Sequence, residues 1–215
     1  MRTAILVLAI VGLFAGGAGG QWNVINLHPA GANSSYAYGV SEGQQVGEAE
    51  AGGIRRAGLW SGTADSWVDL RSESSPDSRA YGVHRGQQAG YITVGGYQRA
   101  SLWTGTDDSW VNLHPDGATN SQAYGVGSGQ QVGWTNMVGW ERASLWSGTA
   151  ASWVDMHALL PSGFSSSTAQ GICQNAVFTY VVGNGFNTIS HRTEALMWRA
   201  PTKYLRLRSA PPPRG

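Results

Sequence analysis

Cysteine is almost missing from this chain: Cys173 is the single example in 215 residues. No internal disulfide can form, so the core must be held by packing and strand pairing, and Cys173 is expected as a small buried apolar side chain. Charge is scarce too. Only 13% of residues are charged and the formal net charge is +1, which provides no basic stripe for nucleic acid and no attraction to an anionic membrane surface. Apolar runs are short. Ala4 to Phe14 falls below the roughly 20 residues needed to cross a hydrocarbon core; with Arg2 before it and small residues after it, residues 1–20 read as a signal peptide cleaved after Ala18 or Gly20. The protein is therefore expected to be secreted, periplasmic or bound to the cell envelope, with no integral membrane association once the signal is removed. No segment shows a helical period, and residues 210–215, Ala-Pro-Pro-Pro-Arg-Gly, are expected as a disordered tail.

Glycine and aromatic residues, in contrast, recur at a fixed spacing. Ala37-Tyr38-Gly39-Val40 returns 43 residues later as Ala80 to Val83 and again as Ala123 to Val126, each followed by Gly-Gln-Gln at Gly43, Gly86 and Gly129. Leu59-Trp60 returns as Leu102-Trp103 and Leu145-Trp146, and Trp67-Val68 as Trp110-Val111 and Trp153-Val154. Each unit holds four short segments rich in aromatic and β-branched residues, separated by turn residues, which predicts four strands. In the first unit these are Tyr36 to Val40, Gln44 to Glu48, Arg56 to Trp60 and Ser66 to Leu70, with Ala37 and Gly39 on one face and Tyr38 and Val40 on the other. The repeat β-domain spans 21–209, in units of about 36–70, 80–113, 123–156 and a divergent 169–207.

This meander with longer links between units predicts an all-β, four-bladed β-propeller-like repeat protein in which each blade packs on its neighbours. A β-trefoil or an open repeat array are the alternatives. Val24-Ile25-Asn26-Leu27-His28-Pro29 matches Trp110 to Pro115, so a lone fourth strand at 22–27 could pair with the last blade and remove the exposed edges. Tyr204 to Leu207 resembles Trp67 to Leu70 and competes for that place. The order Ala-x-Gly-Val, Gly-Gln-Gln-Val-Gly, Ala-x-Leu-Trp resembles the HAF-type extracellular repeat family over nearly the whole mature chain. The resemblance implies secretion and a propeller-like β-fold, and brings no catalytic residues; Arg56, Arg99 and Arg142 stand where that family has histidine.

Candidate chemistry is thin. His28, His114 and His157 share one repeat position and so cannot converge on one ion with ligands near 2.0–2.1 Å, which favours a loop role. The Ser-Gly-Thr turn carries Asp65 and Asp108 but Ala151, so a turn role is preferred to calcium binding. No nucleophile elbow is present, and equal polar positions around a repeat are poor material for an acid and a base. No catalytic residue, cofactor or metal is expected. The binding candidates lie where the repeat lapses, at Tyr91, Tyr97, Trp134 and Trp140, which replace Glu48 and Ile54 around the second hairpin. Such aromatic side chains suit stacking on sugars or capture of a protein. The expected function is a non-catalytic binding or scaffolding module for an unknown protein or glycan, with a carbohydrate-binding propeller and a degenerate hydrolase-like propeller as alternatives.

Overall fold

A computed structural model describes residues 22–71 and 75–202; the expected signal peptide at 1–20, Tyr204 to Leu207 and the expected tail at 210–215 lie outside these residues. The first sheet has the order β1 (Ser34–Ser41), β2 (Gln44–Ala51), β3 (Ile54–Trp60), β4 (Val68–Asp69). The second runs β5 (Ser78–His84), β6 (Gln87–Val94), β7 (Tyr97–Trp103), β8 (Val111–Asn112), and the third β9 (Ser121–Gly127), β10 (Gln130–Met137), β11 (Trp140–Trp146), β12 (Val154–Asp155). The fourth comprises, among the described residues, β13 (Phe164–Gln174), β14 (Phe178–Asn187) and β15 (Arg192–Pro201). All pairings within the sheets are antiparallel, and the helical elements among the described residues are single 3-10 turns. The class is all-β.

Turn chemistry accounts for the repeat motifs. Glu42 and Gly43 both have positive φ, as do Arg85-Gly86 and Ser128-Gly129, which is the backbone of the tight hairpin that matches strand twist. In the Ser-Gly-Thr turn, Ser66 Oγ donates to the Thr63 carbonyl (2.6 Å) and accepts from the Ser61 N–H (2.8 Å). The Gly62 N–H donates to Gln45 Oε1 (2.9 Å), with Gly105 to Gln88 and Gly148 to Gln131 at 2.8 and 2.9 Å. Because Ser66 is drawn into this turn, the fourth strand begins only at Val68 and spans Val68–Asp69, followed by one further bond from Leu70 to the third strand, rather than running from Ser66 to Leu70.

The expected alternation of faces in the first strand is interrupted by a bulge. Register shifts fall between Ala37 and Gly39, Ala80 and Gly82, and Ala169 and Gly171, so Ala80 and Val83 both enter one core instead of opposite faces. The bulge brings a carbonyl onto the neighbouring strand. A Cβ at Gly47, Gly90 or Gly133 would lie 1.8–1.9 Å from the carbonyl oxygen of Tyr36, Arg79 or Gln122, which is why each second strand carries glycine at this position.

Sheets stack through their first strands. β5 lies against β1, β2 and β3, β9 against β5, β6 and β7, and β13 against β9, β10 and β11. The first junction buries Ala80 and Val83 on Val46, Ala57, Leu59 and Leu70. The second sets Ala123 and Val126 on Ala89, Ala100, Leu102 and Leu113, and the third sets Ala169 on Val132, Ala143, Leu145 and Met156. Polar groups repeat with them. The Ala57, Ala100 and Ala143 N–H groups donate to Ser78, Ser121 and Ser167 Oγ (2.9, 2.8 and 3.1 Å), while the same alanines accept from the N–H of Leu70, Leu113 and Met156 (2.9, 2.8 and 2.9 Å).

The stack is open. Among the described residues the fourth sheet does not pack on the first, β15 is an unpaired edge, and Val24 to Leu27 forms no strand. The expected closure by the N-terminal strand is thus not observed. That segment is tied to the first sheet, through His28 on Ser35 Oγ (2.9 Å) and Ala32 O (3.0 Å) and through the Asn33 N–H on Glu50 O (2.7 Å), while β15 stands at the opposite end of the stack. Cys173 is exposed rather than buried. It lies near the end of the 11-residue β13, which is longer than the seven-residue first strand of the sheet it covers.

Candidate binding cleft

The four aromatic candidates divide into two pairs. Tyr91 and Trp134 are 1% and 8% exposed, because they follow the buried Gly of the second strand and turn into the junction rather than to solvent. Tyr91 Oη donates to Asp77 Oδ2 (2.9 Å), and Trp134 Nε1 donates to Tyr124 Oη (2.9 Å). These two rings are structural and offer no face to a ligand, which corrects the expectation for that pair. Tyr97 and Trp140 stand exposed at the starts of β7 and β11.

The histidines belong to the inter-unit loops. His114 Nε2 lies 3.0 Å from the Ala118 carbonyl and Nδ1 lies 2.7 Å from Ser121 Oγ. A carbonyl only accepts, so the proton sits on Nε2 and the serine hydroxyl donates to Nδ1. The Ala100 N–H, Ser121, His114 and Ala118 therefore form one relay across the second junction. Burial holds the His114 pKa below the usual imidazole value, with Arg99 acting in the same direction; burial and then Arg142 lower that of His157. Asp65 and Asp108 are exposed on their 3-10 turns. Among the described residues no group of three or more His, Cys, Asp or Glu side chains is arranged to hold a metal ion.

A different site emerges beside the first junction. Ser34, Tyr36, Tyr38, Glu48, Glu50, Arg55 and Arg79 line a half-open cleft of about 370 Å3. Its walls follow from strand register: Tyr36 faces Glu48 across β1 and β2, Ser34 faces Glu50, and Glu50 faces Arg55 across β2 and β3. Arg79 enters from β5 and pairs with Glu48 at 2.6 Å, with the Glu48 side chain 6% exposed. Tyr36 and Tyr38 are exposed, their rings 6.3 Å apart and within 4° of parallel. Tyr38 continues into a row with Tyr81 (5.5 Å) and Tyr124 (5.2 Å).

Electrostatics in the cleft are set first by burial. Desolvation raises the Glu48 carboxyl against the opposing pull of the Arg79 guanidinium and the Tyr38 hydroxyl. Burial also pushes Tyr38 up, with the Glu48 charge adding to it, and pushes Tyr81 up to about 12. Both tyrosines therefore remain neutral hydrogen-bond donors at ordinary pH. Two carboxylates and two guanidiniums face one another, so the cleft offers acceptors and donors without net charge.

Sequence reasoning singled out Glu48 only as the residue that aromatics replace. The other signal was present at Arg79, whose repeat partners are Tyr36 and Gln122, but spacing alone does not show that Arg79 and Glu48 meet. No protein-family model matches this chain, and no curated protein matches its sequence.

Proposed function

We propose that this chain is an exported, non-catalytic repeat module of the extracellular space or cell envelope, that its four sheets are the blades of a propeller-like array, and that it binds a neutral glycan in the cleft beside Tyr36 and Tyr38. The observation that carries this reading is the balance of the walls: exposed tyrosine rings next to paired charges of both signs. A sugar ring has apolar C–H faces that stack on an aromatic ring and hydroxyls that both donate and accept, and planar carboxylate and guanidinium groups bond such hydroxyls with fixed geometry. A charged ligand would bring its charge against one of the two like-charged pairs.

A glycan array followed by calorimetry on the full chain tests the proposal. Tyr36→Ala and Glu50→Gln are each expected to weaken the bound glycan by about tenfold, as one buried contact of 1.4 kcal/mol does. Absence of any glycan ligand, or binding that neither change affects, overturns it; binding lost instead with Tyr97→Ala and Trp140→Ala moves the site to the hairpins.

One observation favours a second reading, a degenerate hydrolase. Glu48 and Glu50 are unlike carboxylates in one cleft, the first buried and raised, the second half-buried, as an acid and a base need to be. Against it, Glu48 is held by Arg79 and Tyr38. Reducing ends released from an oligosaccharide, and lost with Glu48→Gln and Glu50→Gln alike, are the result that selects the enzyme.

A further inference from the structure

Both ends of the stack carry half of the junction that the chain makes three times internally. At the front, Ala37 and Val40 occupy the places of Ala80 and Val83, yet Ala37 is exposed and Val40 is 74% exposed, against 0% and 8% for their counterparts. At the back, Val182 and Met197 occupy the places of Val46 and Leu59 and are 49% and 63% exposed, and Ala195, in the place of Ala57, is exposed too. The terminal units of a repeat array that stands alone carry polar outer faces. These ends keep the apolar residues of the interior.

Main-chain groups match as well as side chains. Leu27 and Ser35 stand eight residues apart, like Leu70 and Ser78 and like Leu113 and Ser121. The front loop is already folded for docking: His28 Nδ1 and Nε2 bond Ser35 Oγ and Ala32 O at 2.9 and 3.0 Å, as His114 bonds Ser121 and Ala118 at 2.7 and 3.0 Å. What Ser35 lacks is the second partner, the alanine N–H that Ser121 receives from Ala100. At the back, Ala195 lies on β15, with β14 on one side and, among the described residues, no strand on the other. Among the described residues its sheet has three strands where the others have four, and Ile25-Asn26 occupies the repeat position of β8, Val111–Asn112, for which the fourth sheet shows no counterpart.

We propose that copies of this chain associate head to tail, residues 24–40 of one copy docking on the fourth sheet of the next as residues 110–126 dock on the second sheet. Ile25 and Asn26 pair with Met197 and Leu196, in the register of Val111 with Leu102 and Asn112 with Ser101. The Leu27 N–H donates to the Ala195 carbonyl, the Ala195 N–H donates to Ser35 Oγ, and Ala37 and Val40 settle on Val182, Ala195 and Met197. A second copy is the occupant because the interface continues one that the chain already makes. Being heterologous, it propagates or closes into a ring of subunits. This inference does not rest on the glycan reading, although the docking segment includes Ser34, Tyr36 and Tyr38 of the cleft.

Sedimentation of the full chain over a wide concentration range is the test, with one variant per end. Wild type is expected to form a concentration-dependent series. Ala37→Arg, blocked at the front, and Met197→Arg, blocked at the back, are each expected to be monomeric, and their equimolar mixture to give a one-to-one dimer that grows no further. Both positions are exposed in the single chain, and dimer formation itself reports that each variant is folded. Adding Ser35→Ala to the variant with the intact front is expected to weaken that dimer by about tenfold, the cost of leaving one N–H unpaired. A chain that stays monomeric at every concentration overturns the proposal, whether its own first sheet or its own residues 204–207 cover β15. Association that survives both arginine substitutions overturns it equally.

Discussion

Ser121→Ala isolates the polar contribution of a sheet junction, because the change removes one oxygen and leaves almost no cavity. Ser121 is fully buried; its Oγ receives the Ala100 N–H at 2.8 Å and meets His114 Nδ1 at 2.7 Å. Without it the Ala100 N–H is buried with no acceptor, which costs about 1–3 kcal/mol. His114 is half-buried, so water can replace its lost partner and adds little. A total near 2 kcal/mol, divided by a urea slope of about 2 kcal/mol/M for a chain of this size, lowers the unfolding midpoint by about 1 M. The control is Ser35→Ala, measured at concentrations where the chain is monomeric. Ser35 sits in the same repeat position but is half-exposed and bonds only His28, so its midpoint is expected to move by less than the equivalent of about 0.5 kcal/mol. Equal shifts for the two variants, or no shift for Ser121→Ala, would refute the claim that the alanine N–H makes this serine matter.

Three further outcomes follow from single features. Val138 holds φ of 56° at a hairpin position where the first and second units have Gly52 and Gly95; a left-handed β-branched residue costs about 1–2 kcal/mol and glycine's chain entropy returns about 0.5–1, so Val138→Gly is expected to raise the thermal midpoint by a few degrees in calorimetry. The folded-state pKa values of His114 and His157 lie below the unfolded value near 6.5, so as pH falls below about 6.5 the unfolded chain binds protons first and stability drops; urea midpoints at stepped pH are expected to show this, and His114→Gln with His157→Gln to flatten it. Glu48→Gln strands the Arg79 guanidinium and is expected to destabilise by about 2–3 kcal/mol, less than a fully buried pair because Arg79 is 26% exposed, whereas Glu48→Tyr with Arg79→Gln, borrowing residues from the second and third units, is expected to restore wild-type stability in urea.

The strands were legible because the 43-residue phase marks them three times over, and the second and third strands of the first unit begin within two residues of where the pattern puts them. The faces were not. One bulge residue, Tyr38 in the first unit and Tyr81 in the second, turns an alternating pattern into Ala80 and Val83 side by side, and nothing in the spacing of apolar residues announces it. A physical signal did exist in Gly47, Gly90 and Gly133, whose missing Cβ makes room for the bulged strand's carbonyl. The binding candidates failed in part for the same reason. Tyr91 and Trp134 looked like exposed departures from the repeat, but their register places them opposite Arg79 and Gln122 on the face that the next unit covers.

That series of facing pairs, Tyr36 with Glu48, Arg79 with Tyr91 and Gln122 with Trp134, shows where repetition stops governing the chain. The alanine of the third strand and the junction serine recur, and the positions around them stay apolar, because each junction needs an apolar fit and the same acceptor for an alanine N–H. The facing pair lies beside that fit and is free to differ, and two of its three versions are filled by a buried aromatic ring. The first instead holds the buried carboxylate of Glu48, which meets the guanidinium of Arg79 from the second pair across the junction. Desolvation takes back most of what such a pair gains, so apolar packing of similar volume serves stability as well or better. The two aromatic versions show that this backbone accepts the apolar solution. Glu48 and Arg79 therefore have no advantage as cement, and the asymmetry they introduce, an open cleft with charges of both signs beside the first junction, is not required by the junction and is the feature on which the proposed glycan reading rests.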